Sequence, residues 1–170
     1  MKRFLLGLWQ IGAHIRAWIW LSRTAARVPV LGKPVSMILD RLLLMVYGLD
    51  VTSASIFVVD LRIPHPGGVL LGGNGIRSHG RVLINAGVKF VGHSPENPEY
   101  LARHAERRVF DLGDNVVFGA NCVVIGPVTI CDNVMIGAMS LVNKDIIEPG
   151  IYVGSPVRKI SDQVNESWVS

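Results

Sequence analysis

The chain has 170 residues, enough for one domain with a real core and a short appendage. A composition that is 49% apolar and 18% charged, with a mean hydropathy of +0.38, excludes a disordered chain. The formal charge of +4 is uneven: residues 1–48 hold seven basic side chains against Asp40, while the remainder is net acidic, and the absence of a compact Lys/Arg run argues against a nucleic-acid partner.

Residues 1–48 read as helical. The charged start "MKR" and apolar "FLLGLW" have the look of a signal peptide, but no small-residue cleavage site follows. A spanning helix would place His14 and Arg16 near mid-bilayer, which is costly. Phe4, Leu8, Ile11, Ile15 and Trp18 recur instead at steps of four and three, the stripe of an amphipathic helix. That stripe packs on the protein's own core or a sister subunit, or else lies on a membrane surface. A break at "RVPVLGKP" precedes a second helix, "PVSMILDRLLLMVYG", with Pro34 in its first turn and Gly48 at its stop.

From Asp50 the helical period vanishes. Residues 50–93 and 109–160 are rich in Val, Ile and Gly, with turn residues every few positions. Between them "SPENPEYLARHAERR" (94–108) reads as a loop, and 161–170 as a tail. From Leu112 an apolar residue returns at every sixth position: Phe118, Val124, Ile130, Ile136 and Val142. Neither a simple helix nor a simple strand repeats so. A chain coiled into a triangular prism does, with one short strand and one corner per six residues. A second inward position, four residues later, is filled by Val116, Cys122, Val128, Val134 and Ser140. Asn, Asp and Gly in "GDN", "GAN" and "CDN" suit the corners. The same register is expected at Leu70, Ile76, Val82 and Val88, with Gly80, Ala86 and Gly92 second. Internal repeats of this kind define a solenoid. Cys122 and Cys131 lie inside the repeats and read as reduced packing residues. "GGVLLGGNG" has neither G-x-G-x-x-G nor a G-K-[ST] ending, so its glycines serve corners and not a phosphate.

Residues 48–160 resemble the hexapeptide-repeat acyltransferases, through "IPHPGGVLL", "GDNVVFGANCVVIG", "NVMIGAMSLVNKDI" and "VGSPVRKI". The last is similar to the family's G-x-P-A-[KR]-x-I signature, with Val157 in place of alanine. Within the family the chain looks most like the serine O-acetyltransferase branch, closest to colanic acid and capsular polysaccharide O-acetyltransferases. The resemblance implies a mainly β fold, a left-handed parallel β-helix over residues 49–160 preceded by the short helical segment. It also implies an acetyl-CoA-dependent O-acetyltransferase.

In this branch a histidine before a glycine-containing apolar run is the general base, held by an aspartate about fifteen positions earlier. His65 fits the base and Asp50 the aspartate; Asp60 is nearer but lacks the offset. His104 is the nearest candidate for the family's second histidine, although the "RHPKI" context is absent. His14 reads as a helix-face residue, and His79 and His93 as corner or loop residues. One carbonic anhydrase class shares the prism, yet the histidine spacing shows no zinc-ligand pattern, and no metal is expected. By the same resemblance acetyl-CoA lies between neighbouring prisms of a homotrimer, with a dimer of trimers left open. Gly137, Ala138 and Ser140 would let the pantetheine arm approach the backbone. Arg158 and Lys159 are either partners for the CoA phosphates or solvated cations.

The helical segment of roughly 48 residues is shorter than the helical domain of the serine acetyltransferases. The expected acceptor is therefore a capsular or exopolysaccharide sugar hydroxyl, in the cytoplasm at the inner face of the membrane. Serine is the alternative, followed by an antibiotic hydroxyl, and a non-catalytic trimeric scaffold stands as a reading from another class.

Overall fold

The structure, a computed structural model, describes residues 11–92 and 96–163. It opens with a helical hairpin, α1 (Ile11–Ala25) and α2 (Gly32–Tyr47). Phe4 and Leu8 of the expected stripe lie outside the described residues. Of the rest, Ile15 is buried, Trp18 is half-buried and Ile11 is exposed; the inward line of α1 is Ile15, Ile19 and Ser22. Trp18 Nε1 donates to the Leu39 carbonyl at 3.0 Å, so α1 packs on α2. The second helix begins two residues before Pro34. It ends as expected, with Gly48 at φ +65° donating its N–H to the Leu44 carbonyl.

Asp40 ties this hairpin to the rest of the chain. Its carboxylate accepts from Ser22 Oγ (2.7 Å) and from both the amide (3.0 Å) and hydroxyl (2.5 Å) of Ser53. Ser53 opens a short 3₁₀ turn, Ser53–Ser55, beneath the first coil.

The remainder is a three-sided prism of parallel strands. One face stacks β1 (Asp50–Val51), β3 (Leu70–Leu71), β5 (Lys89–Gly92), β8 (Val123–Gly126) and β11 (Leu141–Val142). The second face stacks the first halves of β2 (Ile56–Arg62) and β4 (Ile76–Ile84), then β6 (Phe110–Leu112), β9 (Val128–Ile130) and a bridge at Ile146. The third carries the second halves of β2 and β4, then β7 (Val116–Phe118), β10 (Val134–Ile136) and β12 (Gly150–Gly154). An antiparallel strand, β13 (Val157–Ser161), closes the last coil. Partners such as Val116 and Val134, or Val123 and Leu141, stand eighteen residues apart, three sixes per turn.

Every residue of the series from Leu112 to Val142 is buried, and so is its companion set from Val116 to Ser140. The earlier coils correct the expected register. Val82 pairs with Val116, and Ser78 with Leu112, so Val82 and Val88 are companion positions and the leading series is Ser78, Ile84 and Phe90. Leu70 is an outward residue beside Lys89, and Leu71 points into the core. Gly80, Ala86 and Gly92 are accordingly only half-buried. The shift has a physical cause: the first coils advance by twenty and nineteen residues, Asp50 to Leu70 to Lys89, and a period of six cannot be carried through them.

Aromatic packing fills the prism where the coils widen. Phe90 meets Phe110 and Phe118 edge-on, at centroid distances of 5.0 and 5.1 Å. One corner repeats through the stack as Gly48, Gly68, Gly87, Asn121 and Met139, all at positive φ. At Gly87 a side chain would collide with Asn121 Oδ1, which is 2.0 Å from an ideal Cβ position. Cys122 is buried in this core and burial pushes its thiol pKa up, consistent with a packing role.

Candidate active site

His65 stands where the first coil turns back into the second. The buried residues Ile63 and Pro66 anchor the turn on both sides. Pro64 and Pro66 restrict the backbone around the histidine. The imidazole is therefore presented to solvent by a fixed turn, and no side-chain hydrogen bond joins it to another described residue. The Val69 amide donates to the Pro66 carbonyl at 3.1 Å, and the Gly68 amide donates to the Gly48 carbonyl of the coil below at 3.0 Å.

Asp50 follows the Gly48 corner by two residues and pairs in register with Leu70, five residues past His65. Its amide donates to the Val69 carbonyl at 2.9 Å. Its half-exposed carboxylate lies 3.9 Å from an Arg41 guanidinium nitrogen. The coil here advances twenty residues, from Asp50 to Leu70, so the fifteen-residue offset falls five short of one coil, and the ion pair of the carboxylate is with Arg41 of α2.

Asp60 is committed elsewhere. Arg81 lies 3.0 Å from its carboxylate, Arg62 3.2 Å and Arg16 of α1 3.8 Å. Burial raises its pKa, but the hydrogen bonds and charges of Arg81 and Arg62 outweigh that and hold the carboxyl below its usual range. It joins α1 to the first two coils and is no partner for His65.

The stretch 94–108, expected as a loop, contains a helix, α3 (Pro98–Ala105). Asn97 caps it, its Oδ1 accepting from the Glu99 amide at 2.8 Å, and Pro98 occupies the first turn. The cap and the proline were both legible in "ENPEY". Tyr100 and Asn74, which the sequence reading passed over, hold the helix down through a 3.0 Å hydrogen bond from the tyrosine hydroxyl to Asn74 Oδ1. Arg103 adds a bond to Thr129 Oγ1 at 3.1 Å and an ion pair with Glu99. His104 is exposed and stacks on Tyr100 at 5.7 Å. The insertion leaves the prism between the first and second faces, whereas His65 sits between the third and first. One chain does not bring the two histidines together. His93 lies outside the described residues, and His79 is an exposed corner residue 3.5 Å from Asp132.

Among the expected cofactor contacts, Gly137 is half-buried and Ala138 is exposed on an outer edge. Ser140 is buried: the Gly154 amide donates to its hydroxyl at 3.1 Å, and that hydroxyl in turn lies 3.4 Å from the Ala138 carbonyl. Its part is to support the edge from inside. Lys159 is held by Asp162 (2.6 Å) and Glu148 (3.0 Å), both of which raise its pKa. Arg158 is exposed and has no ion pair with a described residue. At Gly137, Val153 fills the space a side chain would take, 2.6 Å from an ideal Cβ position, so the outward residues of this set are Ala138 and Arg158.

Coil length, buried series and stacked corners define the class, a parallel β-helix of six-residue repeats, and the family model and structural neighbours below give it the left-handed coil of that fold. Residues 112–144 match the family model described as bacterial transferase hexapeptide (six repeats). Over 115 residues the chain is 28% identical to serine acetyltransferase 2 of Arabidopsis thaliana, covering 68% of this chain and 33% of that protein. Solved structures share the fold, serine acetyltransferases among them. The serine acetyltransferase of Neisseria gonorrhoeae superposes with a TM-score of 0.74 and 22% identity, over 93% of this chain and 58% of that one. The soybean enzyme complexed with serine gives 0.68 and 21%, over 84% and 54%. A serine acetyltransferase in complex with CoA gives 0.65 and 18%, over 88% and 57%. The chain therefore spans about a third of the Arabidopsis protein and little more than half of each solved chain. The finer resemblance to capsular and colanic acid enzymes finds no support among them.

Proposed function

We propose that the chain is an O-acetyltransferase that moves an acetyl group from acetyl-CoA to the hydroxyl of serine. The observation that carries this reading is the likeness to serine acetyltransferase structures across 84–93% of the chain. It favours serine over the polysaccharide hydroxyl expected from the length of the helical segment. Acetyl-CoA supplies an acetyl group activated as a thioester.

The chain's own residues do the rest. His65, unburdened by other hydrogen bonds, accepts the proton of the acceptor hydroxyl as its oxygen forms the new ester bond. It then returns a proton to the departing CoA sulfur, so the imidazole ends as it began. Asp50, fifteen residues before His65, is the carboxylate assigned to stabilise the transient imidazolium. The pantetheine arm is assigned to the exposed Ala138 edge, and Arg158 answers the CoA phosphates. Because His65 and His104 stand at different corners, a shared site needs a neighbouring copy, and a homotrimer of prisms is the assembly this reading adopts.

The test is thiol release from acetyl-CoA in the presence of serine or of free polysaccharide repeat units. Serine-dependent release that falls about 10²–10⁴-fold in His65→Ala is the expected result. Release with the sugar and none with serine would move the acceptor to polysaccharide. No release with either would leave the prism as a scaffold.

A further inference from the structure

The α1–α2 hairpin turns apolar side chains to solvent on a scale that the prism does not. Its connecting tip exposes Val28, Val30 and Leu31, with Val30 at 92%. The outer side of α2 continues the patch through Ile38, Leu42 and Met45. With Val35 these follow steps of three and four, one face of a helix whose opposite face, Ser36 and Leu43, is already buried. A helix apolar on both sides needs a second apolar environment, and a contiguous exposed patch of this kind marks an interaction surface.

The charge around the patch selects what covers it. Arg27 at the tip and Lys33 in the first turn of α2 are exposed and have no ion pair with a described residue. Arg41, on the outer side, has only the loose contact with Asp50 at 3.9 Å. Asp40 is the sole acidic residue of the hairpin, and its carboxylate is turned inward onto Ser22 and Ser53. A two-fold contact with another copy would set this basic face against itself without an acidic partner. No described helix is long and apolar enough to cross a membrane.

We infer that the tip and outer face of α2 form a docking surface for an anionic lipid bilayer. The apolar residues enter the headgroup boundary, and Arg27 and Lys33 meet lipid phosphates. Val30 adopts φ +67°, a conformation β-branched residues rarely take, at the most exposed point of the patch. The inference is independent of the acetyl-transfer reading. It places the contact on α2, where the sequence had pointed to the stripe of α1.

The experiment is co-sedimentation of the full chain with vesicles of phosphatidylcholine, with and without phosphatidylglycerol. Binding should require the anionic lipid and weaken with salt. Lys33→Gln should reduce it roughly five-fold, the loss of one basic residue at such a surface. Val30→Asp should abolish it with the circular dichroism spectrum unchanged, since aspartate tolerates this backbone better than valine. Failure to bind anionic vesicles, or full binding by Val30→Asp, would overturn the inference. A drop in native mass for Ile38→Asp without vesicles would also overturn it, by assigning the face to another copy of the chain.

Discussion

The prism and the helical hairpin handle apolar residues in opposite ways. In the prism the leading and companion series are sealed inside, and the exposed large apolar residues, such as Val59, Met139 and Ile147, are scattered over separate coils and corners. In the hairpin each helix buries one narrow line, Ile15–Ile19 in α1 and Leu43 in α2, and leaves comparable residues in water. The contrast shows that hydrophobicity alone does not locate a core. A stacked coil gives each inward residue a neighbour above and below, whereas a two-helix hairpin on the end of a prism has only one side to bury.

Truncations sharpen that contrast most. Phe118→Ala, in the buried aromatic cluster, should cost about 3–5 kcal/mol in denaturant unfolding. Asp40→Ala removes the acceptor that joins both helices to Ser53 and should cost about 2–3 kcal/mol by the same measurement. If it cost nothing, the hairpin would not be coupled to the prism through this carboxylate. Asp60 gives a pH-dependent test. Its folded-state pKa is lowered, so its stabilisation is complete above the unfolded carboxylate value, about 3.9, and is lost as the pH falls toward the folded value. Melting temperature against pH should fall less steeply on the acid side in Asp60→Asn than in the wild type. The smallest effect belongs to Ile38→Ala, within about 0.5 kcal/mol, because its side chain is already in solvent. A large loss there would erase the distinction between the two regions.

The sequence was most legible where the geometry is most regular. From Leu112 to Val142 three sixes close one coil, so both inward series could be read from spacing alone. From Leu70 to Val88 the coils are longer and Ser78 holds a leading position, which hid the true register behind a plausible apolar one. The α3 helix was missed because two prolines in "SPENPEY" read as loop, although Asn97 and Pro98 make an ordinary helix start. In α2 the apolar residues run all round, and no sequence pattern says which side faces Asp40 and Ser53. The pairing of His65 with Asp50 came only from family resemblance. The structure pairs Asp50 with Leu70, five residues past His65, and sets Arg41 3.9 Å from its carboxylate.

The division of labour between the two regions is tested most directly by initial rates of serine-dependent thiol release for three proteins: wild type, His65→Ala and Ile38→Asp. The account predicts that His65→Ala loses about 10²–10⁴-fold in rate while Ile38→Asp keeps the wild-type rate on soluble substrates. Wild-type turnover by His65→Ala would contradict it.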